Sequence, residues 1–176
     1  MAMKLTEPTE DYLDQIRAYR QAFLDIEGSL DGSGSLRHYA DPKEWIAVSR
    51  AGKDPETAAP GKVPATQYLF VREEDGKLVG MLQIRHYLNE HLEKFGGHIG
   101  YSVAPDERRK GYASQMLAQA LPKCRELGID KVLITCFRGN EGSRRTILKN
   151  GGVYEGTVYE PDEGEYLERY WIDLRQ

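Results

Sequence analysis

The segment 103–113 could do chemistry, because it places three basic side chains beside a glycine at the start of a helix. Arg108, Arg109 and Lys110 are followed directly by Gly111 and by a helical pattern. The first N–H groups of a helix lack partners within the helix and lie at the positive end of its dipole, so they bind anions. Gly111 lets the backbone approach a ligand, and an arginine can pair with two phosphate oxygens at once. The pattern therefore indicates a phosphate site.

An exposed basic loop that ends in a helix cap is the simpler alternative, and the spacing by itself does not separate the two interpretations. The segment lacks the GxxxxGK[ST] pattern of a nucleoside-triphosphate loop. Gly100 is not followed by the further glycines of a dinucleotide-binding fingerprint. These two common phosphate sites are therefore excluded, and the ligand stays open at this stage of the argument.

The elements predicted around this segment describe an α/β domain with a mixed sheet. Apolar spacing, proline and glycine positions and an Asp-Gly hairpin signal define the elements. In chain order we expect a helix over 11–26, a helix from Pro42, strands over 67–72, 78–87 and 98–103, a helix over 111–127, a strand over 131–136, a helix over 143–150, and strands over 153–159 and 167–174. The basic segment thus joins a strand to a helix.

The parts of the chain before residue 67 supply a predicted core face and two loops. The apolar positions expected to pack are Tyr12, Ile16, Tyr19, Phe23 and Ile26 in the first helix, and Trp45, Ile46 and Val48 in the second. The glycine-rich loops 28–35 and 51–66 are long for a compact domain, so we expect them to cover a site as a mobile lid. Tyr39 and Trp45 could line a pocket there, although core packing is the simpler interpretation of Trp45.

Composition limits the class of protein. The 176 residues suit one domain, and a net charge of −4 argues against a nucleic-acid partner. No apolar run approaches the roughly 20 residues that span a bilayer, and the N-terminus lacks a signal-peptide pattern, so we expect a soluble cytoplasmic protein without a membrane partner. Cys124 and Cys136 are expected to be buried and unreactive, and no Cys or His spacing indicates a metal.

The basic segment resembles motif A of the GNAT superfamily of N-acetyltransferases, whose pattern is Arg/Gln-x-x-Gly-x-Gly/Ala. Here it reads Arg108-x-x-Gly111-x-Ala113. After the next predicted strand, Asn140-x-x-Ser143 resembles the family's motif B. The order of elements is similar to GNAT over essentially the whole chain, and the strand and turn are most similar to a subgroup of predicted acetyltransferases. The resemblance implies a GNAT-like mixed, mostly antiparallel sheet flanked by helices.

The resemblance also implies a single N-acetyltransferase domain over 1–176, with acetyl-CoA (coenzyme A) as cofactor. The strand before the turn would pair its backbone with the pantetheine arm, and the turn would hold the pyrophosphate. The strand over 131–136 would diverge and open a slot for the thioester. The implied cofactor-binding residues are Tyr101, Ser102, Val103, Arg108, Arg109, Lys110, Gly111, Tyr112, Ala113, Ser114, Asn140 and Ser143. Asn140 has a structural alternative as an ordinary helix N-cap.

The implied reaction is direct attack of a neutral primary amine on the acetyl thioester, which needs a base, an oxyanion donor and an acid. Many GNAT enzymes carry an acidic Tyr where this chain has Ile147, and a Glu or His where it has Gly97 and Ile99. His98 is one step out of phase and is the candidate catalytic base, unless it is merely hydrogen-bonded or exposed. A β-bulge at Gly96–Gly97 would correct its phase. Further candidates are Glu90, His91, Glu93 and the hydroxyl of Tyr101.

The acceptor stays open, as the amine of a small molecule or of a peptide. A catalytically inactive acyl-CoA-binding or sensor protein on the same fold is a second interpretation, because the expected acid and base are missing from their positions. An unrelated phosphate-binding domain is a third. The last two strands often pair across a dimer in this superfamily, which leaves a homodimer open.

Overall fold

The computed structural model describes residues 2–175, which form two antiparallel sheets and four α-helices. In chain order the elements are β1 (Met3–Thr6), α1 (Leu13–Asp25), α2 (Pro42–Ala51), β2 (Ala65–Arg72), β3 (Lys77–Arg85), β4 (Ile99–Val103), α3 (Tyr112–Glu126), β5 (Lys131–Phe137), α4 (Glu141–Lys149), β6 (Val153–Glu160) and β7 (Glu165–Asp173). The first sheet has the strand order β1-β2-β3-β4 and the second has β5-β7-β6. The prediction of an α/β fold with mostly antiparallel strands is confirmed.

Local sequence accounts for where several elements begin. The side chain of Asp41 accepts a hydrogen bond from the Lys43 N–H, and Pro42 occupies the first turn of α2, where its missing N–H removes no helical bond. Gly76 adopts a φ of 70° in the turn between β2 and β3, which explains the Asp-Gly hairpin signal. Such features depend on adjacent residues, and the sequence predicted both the helix from Pro42 and the hairpin.

Two apolar clusters cover the two faces of the first sheet. Leu82 on β3 belongs to the cluster that includes Met116 of α3 and Val132 of β5. Met81, the preceding residue, belongs to the cluster that includes Ile16 of α1 and Trp45 of α2. Neighbouring residues of a strand point to opposite faces, so β3 is buried on both sides. The first sheet is therefore the rigid middle layer of the domain.

The structure differs from the sequence prediction at the edges of this core. Residues Met3–Thr6 form the edge strand β1, paired antiparallel with β2, which the sequence did not indicate. Ile26 is 51% exposed and Val48 is 40% exposed, so both lie outside the core that their spacing predicted. Trp45 is 1% exposed, as its simpler interpretation required, and both cysteines are buried and free.

The loop 28–35 is fastened to the domain, whereas its glycines predicted a mobile lid. The Trp45 indole N–H donates to the Ser33 carbonyl at 2.8 Å, and the Gln67 amide donates to the Gly32 carbonyl at 2.6 Å. A Cβ on Gly32 would lie 2.5 Å from the Tyr101 Cα, and its φ is 74°. The glycine therefore serves close packing of this loop against β4, and the lid interpretation of this loop is corrected.

Candidate active site

The two sheets separate between β4 and β5. At the near end, Gly97 bridges Ile134, and the His98 N–H donates to the Leu133 carbonyl at 2.8 Å. Beyond that point β4 pairs only with β3, and β5 pairs only with β7. A cleft of about 1410 Å³ opens along the free edge of β4. The divergence of these strands, which the family resemblance implied, is present in the structure.

His98 lies at the closed end of this cleft and does not line it. Its Nδ1 accepts a hydrogen bond from the Leu133 N–H at 2.9 Å, so the neutral ring carries its proton on Nε2. Burial, followed by the charge of Arg85, lowers the pKa of His98 to about 4. The side chain thus holds β4 against β5, which matches the structural alternative rather than the role of base.

Position 97, where many GNAT enzymes have a Glu or His, has no room for a side chain in this structure. A Cβ there would lie 2.5 Å from the Leu133 carbonyl oxygen, and the φ of Gly97 is 69°. The chain before it forms a π-helical turn, Leu92–Gly96, in place of the β-bulge that we proposed to correct the phase of His98. The close approach of β4 to β5 therefore requires glycine here.

The basic turn lies at the opposite end of the cleft. Arg109 and Gly111 adopt left-handed conformations, with φ values of 64° and 82°, and α3 begins at Tyr112. The N-cap residue Gly111 has no side chain with which to cap the helix. Within the described residues, a Cβ on Gly111 would meet nothing within 4 Å, so open space faces the turn. The start of a helix, its dipole and free space together are typical of an anion site.

Glu107 supports this turn and was not identified from the sequence. Its carboxylate is 4% exposed and forms ion pairs with three cations, at 2.9 Å from Arg72, 2.7 Å from Lys77 and 2.7 Å from Lys110. Arg72, then Lys110 and Lys77, lower its pKa to about 2. Lys110 is accordingly held by Glu107 and does not line the cleft, in contrast to the sequence expectation.

The other cations of the turn face the cleft. Arg108 and Arg109 both line it, as do Tyr112, Ala113 and Ser114. The Arg108 guanidinium lies over the Phe23 ring, 5.6 Å from its centroid. The basic segment therefore divides its charges, with the two arginines at the cleft and the lysine in the supporting network.

The start of α4 forms the wall of the cleft across from β4. The side-chain oxygen Oδ1 of Asn140 accepts from the Ser143 N–H at 3.1 Å, so Asn140 is a helix N-cap, and it also lines the cleft. The Tyr101 hydroxyl lies 2.6 Å from the Ser143 hydroxyl. Burial raises the pKa of Tyr101 above its usual range, so the phenol is protonated. Ile147 is fully buried in the core, yet Tyr101 brings a phenol to α4 from the opposite strand.

The remaining lining residues come from segments far apart in the sequence. Ser29, Asp31 and Gly32 belong to the fastened loop, and Arg85 ends β3. His91 precedes the π-helical turn and Phe95 lies within it. Among the further candidate bases, His91 lines the cleft, whereas Glu90 and Glu93 do not. Asp31 and Arg85 were not identified from the sequence, because neither belongs to a motif.

A family model supplies the class of protein that this fold and site define. The model described as the acetyltransferase (GNAT) family matches residues 31–151, so the chain belongs to that family. No curated protein matches the chain in sequence. Within residues 2–175 no helix has the length and apolar character needed to cross a membrane.

Solved structures of N-acetyltransferases share the fold at low sequence identity. The ribosomal-protein-S5-alanine acetyltransferase from Vibrio fischeri superposes with a TM-score of 0.71 at 13% identity, over 100% of this chain and 95% of that one. The microcin C7 self immunity acetyltransferase MccE, in complex with acetyl-CoA and AMP, gives 0.70 at 16% identity, over 97% and 92%. A spermidine N-acetyltransferase chimera from Vibrio cholerae and hSSAT gives 0.68 at 13% identity, over 99% and 96%.

Proposed function

We propose that the protein is an acetyl-CoA-dependent N-acetyltransferase, which transfers an acetyl group to a primary amine by direct attack. The observation that carries the proposal is the cleft between β4 and β5. It runs from the start of α3, past the free edge of β4, to the hydroxyl pair of Tyr101 and Ser143. A candidate anion site, an extended backbone edge and a proton donor thus line one cleft.

The residues of this cleft fit coenzyme A. Peptide groups on the free edge of β4 would pair with the pantetheine arm, and the N–H groups at the start of α3 would hold the pyrophosphate. The residues that we propose at the cofactor are Tyr101, Ser102, Val103, Arg108, Arg109, Gly111, Tyr112, Ala113, Ser114, Asn140 and Ser143. Lys110 would act through Glu107, by fixing the turn in the conformation that receives the anion.

Acetyl-CoA supplies the activated acyl group when bound, and the chain supplies the proton transfers. Asp31 and His91 are titratable groups on the acceptor side of the cleft, so either could take the proton of the attacking ammonium. A backbone N–H of β4 would stabilise the negative charge that develops on the carbonyl oxygen. Tyr101 would donate its proton to the departing thiolate and regain one through Ser143. We do not propose His98 as the base, because its ring lies outside the cleft.

Binding and turnover test this proposal separately. Calorimetric titration of the full chain with acetyl-CoA should give saturable binding, and a panel of primary amines should release free thiol above the background without amine. Binding without thiol release across the panel would favour the inactive acyl-CoA-binding or sensor interpretation. Absence of binding at low salt would overturn the coenzyme A assignment altogether.

The proposal leaves the class of amine acceptor and the oligomeric state open. The cleft is open to the amine of a small molecule or of a peptide. A homodimer through the last two strands, like a cytoplasmic location, stays a prediction of the sequence.

A further inference from the structure

Arg85 is a partly buried cation, and no residue in the described part of the chain gives it a carboxylate partner. Its Nη1 donates to the carbonyls of Gly96 and Gly97, at 3.0 and 3.1 Å. Among residues 2–175, no Asp or Glu oxygen lies within ion-pair distance of its guanidinium, and no protein acceptor binds its Nε or Nη2. Burial accordingly lowers the pKa of Arg85.

The free side of this guanidinium belongs to the cleft. Arg85 lines the cleft, and Nη2 lies 3.5 Å from the position that a Cβ on Gly100 would occupy. Gly100 immediately precedes Tyr101, so the cation lies near the end of β4 where the reaction would take place. Desolvating a charge without a partner is unfavourable, whereas a ligand anion that binds two donors of the fork compensates for it. The structure therefore has a place for an anion beside the reacting amine.

A charge of opposite sign lies on the same wall. Asp31 is an exposed carboxylate that lines the cleft, and its charge acts on both Arg85 and the phenol of Tyr101. From residues 2–175, its side chain accepts one hydrogen bond, from the Ser29 hydroxyl at 2.7 Å. Asp31 and Arg85 do not form an ion pair with each other, so each is left to a ligand group of the opposite charge.

We propose that the acceptor is an amino acid or a close analogue, whose carboxylate binds Arg85 and whose amine lies between Asp31 and Tyr101. This inference rests on the proposed acetyl transfer and names the substrate class of the same cleft. Attack joins the amine nitrogen to the acetyl carbon, the carbon–sulfur bond breaks, and the ammonium proton leaves through the base. A polyamine would place a second positive charge against Arg85, so this acceptor end disfavours it.

Matched acids and amides test the inference without any mutation. With the full chain and saturating acetyl-CoA, thiol release is measured for each protein amino acid, for the carboxamide of each, and for spermidine. We expect at least one amino acid to be acetylated, with kcat/KM about tenfold or more above that of its amide. Equal or faster reaction of the amides, preference for spermidine, or silence of the whole panel while acetyl-CoA binds would each overturn the inference.

Variants of Arg85 locate the effect. In Arg85→Gln the ratio of kcat/KM between acid and amide should fall to about one, because the discriminating charge is lost. Arg85→Lys keeps a charge without the fork and should give an intermediate ratio; it also serves if Arg85→Gln does not fold, since Arg85 holds two carbonyls. Arg50→Gln, which removes an exposed arginine outside the cleft, is the control and should keep the parental ratio. An unchanged ratio in Arg85→Gln would contradict the assignment.

Failure of the inference and failure of the proposed function give different results. If acetyl-CoA binds and amines without a carboxylate are acetylated, only the amino-acid assignment is wrong. If acetyl-CoA does not bind and no thiol is released, the proposed function itself is wrong. Calorimetry of Arg85→Gln with acetyl-CoA should give the parental affinity, because the guanidinium lies away from the turn at Gly111.

Discussion

The two ends of the cleft are built in different ways. The end proposed to hold the pyrophosphate, here called the cofactor end, is a continuous stretch, Glu107 to Ser114, with left-handed backbone at Arg109 and Gly111 and the start of α3. The acceptor end combines side chains from the loop after α1, the end of β3 and the π-helical turn. The first end is therefore local in sequence, and the second exists only because the chain folds.

This difference determines which substitutions each end of the cleft should tolerate. A backbone anion site tolerates many side chains, provided that the residues at its left-handed positions allow the turn. A site of converging side chains depends on each of them, so we expect a change at Arg85 or Asp31 to alter which ligand binds. The comparison predicts that mutations at the cofactor end affect binding of one common cofactor, whereas mutations at the acceptor end affect specificity.

The largest expected effect is at the cofactor end, in Gly111→Asp. A carboxylate in the open space before the turn would stand against the pyrophosphate, so acetyl-CoA affinity should fall about 100-fold or more. Calorimetry gives the affinity, and chemical denaturation gives the free energy of unfolding.

Gly111→Ala is the control for backbone strain at a φ of 82°. Both variants should lose about 1–2 kcal/mol of stability, but only the aspartate should abolish tight binding. Equal affinity in the aspartate variant and the parent would show that the turn is not the pyrophosphate site.

At the junction of the two ends, Tyr101→Phe should lower kcat about 100-fold and leave acetyl-CoA affinity near that of the parent. The reason is that the variant removes only the hydroxyl that would protonate the thiolate. Steady-state kinetics with saturating acetyl-CoA measures the effect.

Tyr19→Phe is the matched control, because the Tyr19 hydroxyl forms a similar bond to Ser102, at 2.8 Å, outside the cleft. Its kcat should be close to the parental value. A full rate in Tyr101→Phe would mean that the thiolate leaves without help from this phenol.

His98 should affect stability rather than chemistry. His98→Leu leaves the Leu133 N–H without its acceptor, which should cost about 1–3 kcal/mol of unfolding free energy. The pH dependence gives a second measurement. The folded pKa of about 4 lies below the ordinary value of 6.5, so the stability from the neutral ring is present above pH 6.5 and is lost as the pH falls toward 4.

Urea denaturation between pH 7 and 4 should therefore show a fall in stability in the parent that is reduced in His98→Leu. The midpoint of the acid limb of kcat/KM should be the same in both proteins. A shift of that midpoint in the variant would show that His98 acts as the catalytic base.

The smallest effect should be at Asn140. Asn140→Ala removes the cap of α4 and should lower stability by about 1 kcal/mol, together with a modest loss of acetyl-CoA affinity. Asn140→Ser keeps a capping oxygen, so it should restore stability without restoring affinity. If serine restores both, Asn140 acts only as a cap and does not contact the cofactor.

The sequence predicted most of the fold because the relevant signals are local. The cap at Asp41, the Asp-Gly hairpin and the order of elements from β2 onward follow from neighbouring residues. The short strand β1 was missed because four residues carry little pattern, and its pairing with β2 is a long-range event. Ile26 was misplaced because spacing on a helix gives a face but does not say where that face ends.

The candidate site divides in the same way. The residues predicted to bind the cofactor come from two motifs and line the cleft, except Lys110, which pairs with Glu107, a partner that spacing does not reveal. His98 lies outside the cleft and bonds to Leu133, because the phase of a strand does not tell whether a neighbouring strand supplies a partner for the ring. Asp31 and Arg85 belong to no sequence motif, because the role proposed for each depends on where the fold places the other.

The sequence by itself indicated the family and the backbone turn at Gly111, because glycine at a left-handed position and a following helix specify that geometry within a few residues. The tertiary structure alone brought together the side chains of the proposed acceptor end. Only folding leaves the Arg85 guanidinium partly buried with no carboxylate from residues 2–175, brings Asp31 and Tyr101 to the same cleft, and draws His98 into the junction of β4 and β5. Burial and long-range proximity assign the roles of these side chains, and neither is encoded in adjacent residues.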